Sequence, residues 1–173
     1  MIAPGRLVLA IETSGSRAGA AVAVSSEARA GRPRILASGC MAPGPSRGEG
    51  LADCVASVLE SARLEVRDLH ALAVVYGPGS YTAIRVGLAL VRGLALADRI
   101  PVVGLGSLEL LALAGSATEN RVCCLLTASA GHFYAAAYER RGWQLDEVRQ
   151  PQLVDLDVAA DWLEQLTPAV VCA

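Results

Sequence analysis

The sequence predicts a layered α/β protein, and three observations carry that expectation. The chain is rich in apolar residues and poor in charge, its strand-length segments alternate with helical periodicities, and one central segment is apolar without alternation. Of 173 residues, 53% are apolar and 18% charged, with a mean hydropathy of +0.43, the balance expected when strands are covered on both faces. The run His70 to Tyr76 (HALAVVY) lacks the polar alternation of a half-exposed strand. A chain of this length can bury one compact core, or one core and part of a second.

Taken in order, Leu7 to Thr13 (LVLAIET) and Ala18 to Val24 (AGAAVAV) read as two strands joined through Ser14, Gly15, Ser16 and Arg17, a hairpin on a small-residue turn. A loop over Glu27 to Arg34 precedes a third strand at Ile35 to Met41, which Pro43-Gly44-Pro45-Ser46 must end. From Leu51 to Ala62 the apolar positions Leu51, Val55, Val58, Leu59 and Ala62 recur at helical spacing opposite Asp53, Ser57 and Glu60, which makes an amphipathic helix. The central strand His70 to Tyr76 stops at Gly77-Pro78-Gly79. The next helix, Ala83 to Asp98, is apolar nearly all round, so it needs cover from more than one neighbour. Pro101 to Leu105 forms another strand, and Ser107 is placed to cap a helix over Leu108 to Ala114. The resulting order is βββαβαβα.

Beyond this point the pattern starts again. Val122 to Ser129 and Phe133 to Glu139 repeat the arrangement of the first two strands, each pair being strand, small-residue turn, strand. A third strand is expected at Trp143 to Arg149, a helix near Val158 to Leu166 and an apolar segment at Ala169 to Cys172. The chain therefore divides into a first half over 1–115 and a shortened second half over 116–173.

Several classes are excluded by composition. The longest apolar runs, Leu69 to Val75 and Ile100 to Leu105, fall far short of a bilayer span, so no membrane helix is expected. The first strand is reached by Leu7 without an extended apolar stretch, which argues against a signal or transit peptide and for the cytoplasm. Cys40, Cys54, Cys123, Cys124 and Cys172 include no C-x-x-C spacing, and the vicinal pair would face opposite sides of a strand, so free thiols are expected. All 15 basic residues are arginine, which removes lysine chemistry of the Walker or Schiff-base kind. A net charge of −2 supplies no uniform field for a polyanion, so any RNA contact should be shared with a partner. His70 and His132 lack the H-x-x-x-H spacing of a metal site, and Gly77-Pro78-Gly79-Ser80-Tyr81 lacks the final glycine of a nucleophile elbow.

The most distinctive segment runs from Tyr76 through Gly77, Pro78, Gly79, Ser80, Tyr81, Thr82, Ala83, Ile84, Arg85, Val86, Gly87 and Leu88 to Ala89. Two glycines and a proline after a buried strand allow a turn with positive φ, and Ser80 or Thr82 can cap the following helix. Its free N–H groups would favour an anion. Taken whole, the segment resembles the R-G-P-G-S-F-T-G-L-R-I-G-L pattern of TsaB, formerly YeaZ, in the family that also contains the catalytic paralogue TsaD. Leu7 to Ser14 is similar to the family's opening L-A-I-D-T-S, and Ile100 to Glu109 to its I-P-L-V-G-V-S-S-L-E. Three departures stand out. Arg47-Gly48 replaces H-S or H-T, Leu126-Thr127-Ala128-Ser129 replaces I-D-A-R, and Glu12 replaces aspartate.

The resemblance implies an actin-like, Hsp70-like (ribonuclease H-like) fold of two duplicated halves. It also implies a non-catalytic scaffold for TsaD in threonylcarbamoyl transfer to the tRNA adenosine beside the anticodon. ATP and metal then belong to TsaD and the companion ATPase TsaE, no cofactor is expected on this chain, and tRNA is met only within the complex. The first two long helices become the docking face for TsaD or for a second copy, drawing on Leu51, Val55, Ala83, Arg85, Val86, Ala89 and Arg92. Glu12, Thr13 and Ser14 would be a vestigial nucleotide site. The alternative is an autonomous actin-fold phosphotransferase that uses Glu12 and the Thr13 to Ser16 turn.

Overall fold

The computed structural model describes residues 5–26, 32–41, 50–115 and 120–165, with the backbone of 170–172. The expected Pro43 to Ser46 stop and the Arg47-Gly48 departure lie outside these residues. Two compact units emerge, Met1–Leu105 and Gly106–Ala173.

In the first unit, strands β1 (Leu7–Glu12), β2 (Gly19–Val24) and β3 (Arg34–Cys40) are followed by helix α1 (Leu51–Ala62) and a single 3-10 turn at Val66–Asp68. Strand β4 (Ala71–Gly77), helix α2 (Tyr81–Asp98) and strand β5 (Val102–Gly106) complete it. The sheet order is β3-β2-β1-β4-β5. β1 pairs antiparallel with β2 from Leu7↔Val24 to Glu12↔Gly19 and parallel with β4 from Val8↔Ala71 to Ile11↔Val74. Strand alternation sends Leu9, Ile11, Val22, Leu72 and Val74 to the face on which Leu51, Val55, Val58 and Leu59 of α1 and Val91 of α2 pack. Both helices thus share one core over the first sheet.

The second unit carries α3 (Ser107–Ala114), β6 (Arg121–Ser129), β7 (His132–Arg141), β8 (Gln144–Asp155), α4 (Leu156–Gln165) and β9 (Val170–Cys172), with sheet order β8-β7-β6-β9. β6 pairs antiparallel with β7 and parallel with β9. This repeats the β3-β2-β1-β4 order of the first sheet, strand directions included. Cys123 joins Ala135, Val154, Ala159 and Trp162 on one side, while Cys124 joins Leu108, Ala112, Ala136 and Tyr138 on the other. The vicinal cysteines do point to opposite faces, and Cys40, Cys54, Cys123 and Cys124 are not in disulfides.

Four details differ from expectation. The units divide at Leu105 and Gly106 rather than at residue 115, because Leu108 and Ala112 of α3 pack on β6 and β7. Ser107 is inside α3 and buried; Gly106 is the N-cap, and its N–H donates to Glu109 Oε2 at 2.8 Å. β8 continues past Arg149 to Asp155, since Pro151 falls at a register shift between Ala135↔Gln152 and Ala137↔Arg149, where an edge strand tolerates proline. Finally, α2 buries only one side, through Ala83, Ile84, Gly87 and Val91.

Candidate functional site

The motif loop connects β4 to α2 at the end of the sheet where β1 turns into β2. Gly77 is buried with φ 118°, Pro78 follows a cis peptide, and Gly79 has φ 156°. A Cβ on Gly79 would stand 2.8 Å from Ser14 Cβ and collide with the Ser14 carbonyl, so glycine is required there by contact as well as by conformation. Ser80 N–H donates to that same carbonyl at 3.1 Å. Ser80 is the N-cap of α2 through its backbone, with Ile84 N–H reaching its carbonyl at 2.9 Å and no side-chain cap bond. Thr82 caps nothing: Tyr81 and Thr82 lie within the first turn, both exposed. One turn further on, a Cβ on Gly87 would meet Thr13 Oγ1 at 2.6 Å. Loop and helix are therefore packed closely against the end of β1 at these two glycines.

Glu12, Thr13 and Ser14 occupy three different environments. Glu12 Oε1 accepts both the N–H and the Oγ–H of Ser14, each at 2.6 Å, which ties the carboxylate to its own turn. Thr13 is 1% exposed and lies against α2. Ser14 is half-buried and bound to the motif loop. One oxygen of Glu12 is thereby committed to Ser14 and the Thr13 side chain is enclosed against α2, while the chain has no lysine to meet a phosphate. Among the described residues no group of three His, Cys, Asp or Glu side chains could hold a metal ion. His70 Nδ1 accepts from Leu7 N–H at 3.2 Å, and His132 Nδ1 lies 3.2 Å from Ala130 O.

The outer side of α2 is different in kind. Arg85, Leu88, Ala89, Arg92, Gly93 and Leu96 line an open groove of about 510 Å³, with Leu88 38% and Leu96 71% exposed. These positions follow the i, i+3/i+4, i+7/i+8 rule, so they form one stripe. Arg85 turns back over Tyr81, its guanidinium 5.3 Å from the ring centroid and Nη1 donating to the phenol oxygen at 3.3 Å. Arg92 makes no ion pair or hydrogen bond among the described residues.

Three of the seven expected interface residues are corrected by burial. Leu51, Val55 and Ala83 are 1%, 4% and 1% exposed, because the stripe of α1 and the inner side of α2 face the sheet. Val86 is half-buried and packed against that core. Arg85, Ala89 and Arg92 remain on the open side. Sequence reasoning missed Leu88, Gly93 and Leu96; choosing Ala83, Gly87 and Val91 as the inner stripe would have placed all three opposite it.

A five-stranded mixed sheet with two helices on one face, followed by a second sheet in the same strand order, defines a ribonuclease H-like, actin-like α/β protein. The solved structure of YeaZ from Pseudomonas aeruginosa shares this fold, with a TM-score of 0.75 at 22% identity over 87% of this chain and 68% of that one. Residues 48–169 match the sequence model of the family described as "TsaD: tRNA N6-adenosine threonylcarbamoyltransferase", and the chain belongs to that family. The tRNA threonylcarbamoyladenosine biosynthesis protein TsaB of Bacillus subtilis (strain 168) is 36% identical over 112 residues, 65% of this chain and 48% of its own length. Its namesake in Escherichia coli (strain K12) is 32% identical over 109 residues, 58% of this chain and 47% of its own. The chain spans about half the length of these curated relatives. No helix among the described residues is long and apolar enough to cross a membrane.

Proposed function

We propose that the chain is a TsaB-type, non-catalytic partner in threonylcarbamoyladenosine biosynthesis, and that it docks a TsaD-type catalytic paralogue through the open side of α2. One observation carries this: a helix with apolar residues at the centre of its outer stripe and arginines beside them, where a surface helix would ordinarily be polar. The same stripe can receive a second copy of the chain when the paralogue is absent. ATP and metal act on the TsaD-type protein and a TsaE-type ATPase, tRNA is engaged within the assembled complex, and the setting is the cytoplasm. The tethered Glu12 supports a structural role for the first turn rather than phosphotransfer.

The test is Ala89→Glu. Ala89 is exposed, so the fold should hold, while a carboxylate placed at the centre of an apolar contact is desolvated without a partner. Calorimetric titration with the TsaD-type paralogue is expected to show a loss of at least tenfold in affinity. A folded variant that binds like the wild type would remove α2 as the docking face.

A further inference from the structure

We infer that the end of the first sheet opposite the motif loop is a surface for the phosphate backbone of RNA. The inference rests on the tRNA-related function proposed above and adds where RNA lies on this chain. β1, β3 and β4 begin at this end and β5 begins beside them, for His70 N–H donates to Leu7 O at 2.8 Å and Leu72 N–H to Pro101 O at 2.9 Å. Ser25 N–H donates to Arg6 O at 2.9 Å, and Arg34 stands in register with Val24 at the same edge. α1 starts near Met41, beyond the end of β3, so it finishes here, as does α2 just before Ile100.

This topology gathers Arg6, Arg32, Arg34, Arg63, Arg67 and Arg99, all exposed, from a chain whose net charge is −2. The carboxylates nearby are Glu60, Glu65, Asp68 and Asp98. Of these, Glu65 pairs with Arg67 at 2.9 Å and Asp68 accepts the Glu65 N–H at 2.8 Å. Helix dipoles account for Arg63 and Arg99, which sit in left-handed C-cap positions where a cation is favoured. They do not account for Arg6, Arg32 and Arg34, which precede or open strands. The opposite end differs: its described arginines are engaged, Arg17 donating to Cys40 Sγ at 3.0 Å and Arg85 lying over Tyr81 in the first turn of α2. A row of guanidinium groups along one edge of an otherwise acidic molecule suits phosphates, each of which can take two N–H donors from one arginine. The overall charge keeps such binding weak for the isolated chain and makes it an addition to the partner's own contacts.

The probe is a fluorescently labelled, unmodified tRNA transcript titrated with the full chain and followed by anisotropy. Binding in the micromolar range at low salt is expected, weakening about ten- to twentyfold when salt is tripled if some three phosphates are engaged. The combined variant Arg6→Gln, Arg34→Gln, Arg63→Asn and Arg99→Asn should bind at least tenfold more weakly with a flatter salt dependence. Asparagine suits the left-handed caps, so circular dichroism should be unchanged. Hydrogen exchange of the wild type with and without the transcript gives a second measure, with protection expected over 63–70 and 99–102 whether or not the variant folds.

Wild-type RNA affinity in the folded variant, protection confined to other segments, or equal binding to phosphatidylglycerol vesicles through the same arginines would each overturn the inference. Loss of RNA binding in Arg85→Gln/Arg92→Gln with the edge intact would do so too. None of these readouts involves the TsaD-type paralogue, so this inference and the α2 docking face stand or fall separately.

Discussion

Gly79 is the residue at which sequence and structure agree most closely. A glycine between proline and a helix start was legible as a positive-φ position, and its φ is 156°. The second reason for it was not legible, because the Ser14 carbonyl that blocks a side chain arrives from 65 residues earlier in the chain; a turn motif records its own dihedrals but not what packs on it. Gly79→Val therefore combines backbone strain with a collision against an immobile backbone atom. A loss of about 2 to 3 kcal/mol, or more, is expected, read as a lower midpoint in urea denaturation. An unchanged midpoint would show that the loop moves aside. Thr13 teaches the converse. It reads as part of a phosphate turn in sequence, yet strand alternation after Leu9 and Ile11 sends it to the buried face against Gly87.

The elements were legible where periodicity was clean and less so where a single residue had two meanings. The strand expected over Trp143 to Arg149 runs on through Pro151, because β8 is an edge strand and absorbs the proline in a bulge. The outer stripe of α2 reads as core because its leucines are indistinguishable from buried ones; only packing shows that one sheet face covers half the helix. Arg140 was not anticipated at all, since its role depends on three carbonyls from another element. Its Nη1 lies 3.3, 3.2 and 2.7 Å from the carbonyls of Ala112, Leu113 and Gly115, which are among the unpaired acceptors at the end of α3. A cation there also complements the helix dipole. Arg140→Ala would leave part-buried carbonyls short of a donor, and a loss of about 1.5 to 3 kcal/mol is expected. The check is thermal unfolding monitored at Trp162, whose ring packs in the core of this unit. Arg140→Lys should recover part of the loss, because an ammonium keeps the charge but not the fork.

On the scale of the whole molecule, duplication was legible from two strand pairs with similar turns, and the matching sheet orders extend it. The position of the unit boundary was not, since α3 could in principle follow either sheet and its mean pattern does not say which. The turn after β1 can be judged on its own chemistry. Glu12 spends one oxygen on two donors from Ser14 at 2.6 Å each, and freeing it would break both bonds in a part-buried turn, at a cost of about 1 to 3 kcal/mol. The corresponding turn of the second unit, Ala128-Ser129-Ala130-Gly131, offers no carboxylate at all. All 15 basic residues are arginine, so charge on a transferred phosphoryl group would have to be met by guanidinium alone, and no described arginine donates into the Glu12 turn. ATP turnover by the purified chain, with magnesium present, is accordingly expected to match a buffer blank in a coupled phosphate-release assay, and Glu12→Gln should change only stability. Turnover well above the blank that disappears in Glu12→Gln, with the variant still folded, would show that the carboxylate leaves Ser14 to take a metal, and the chain would then be a phosphotransferase rather than a scaffold.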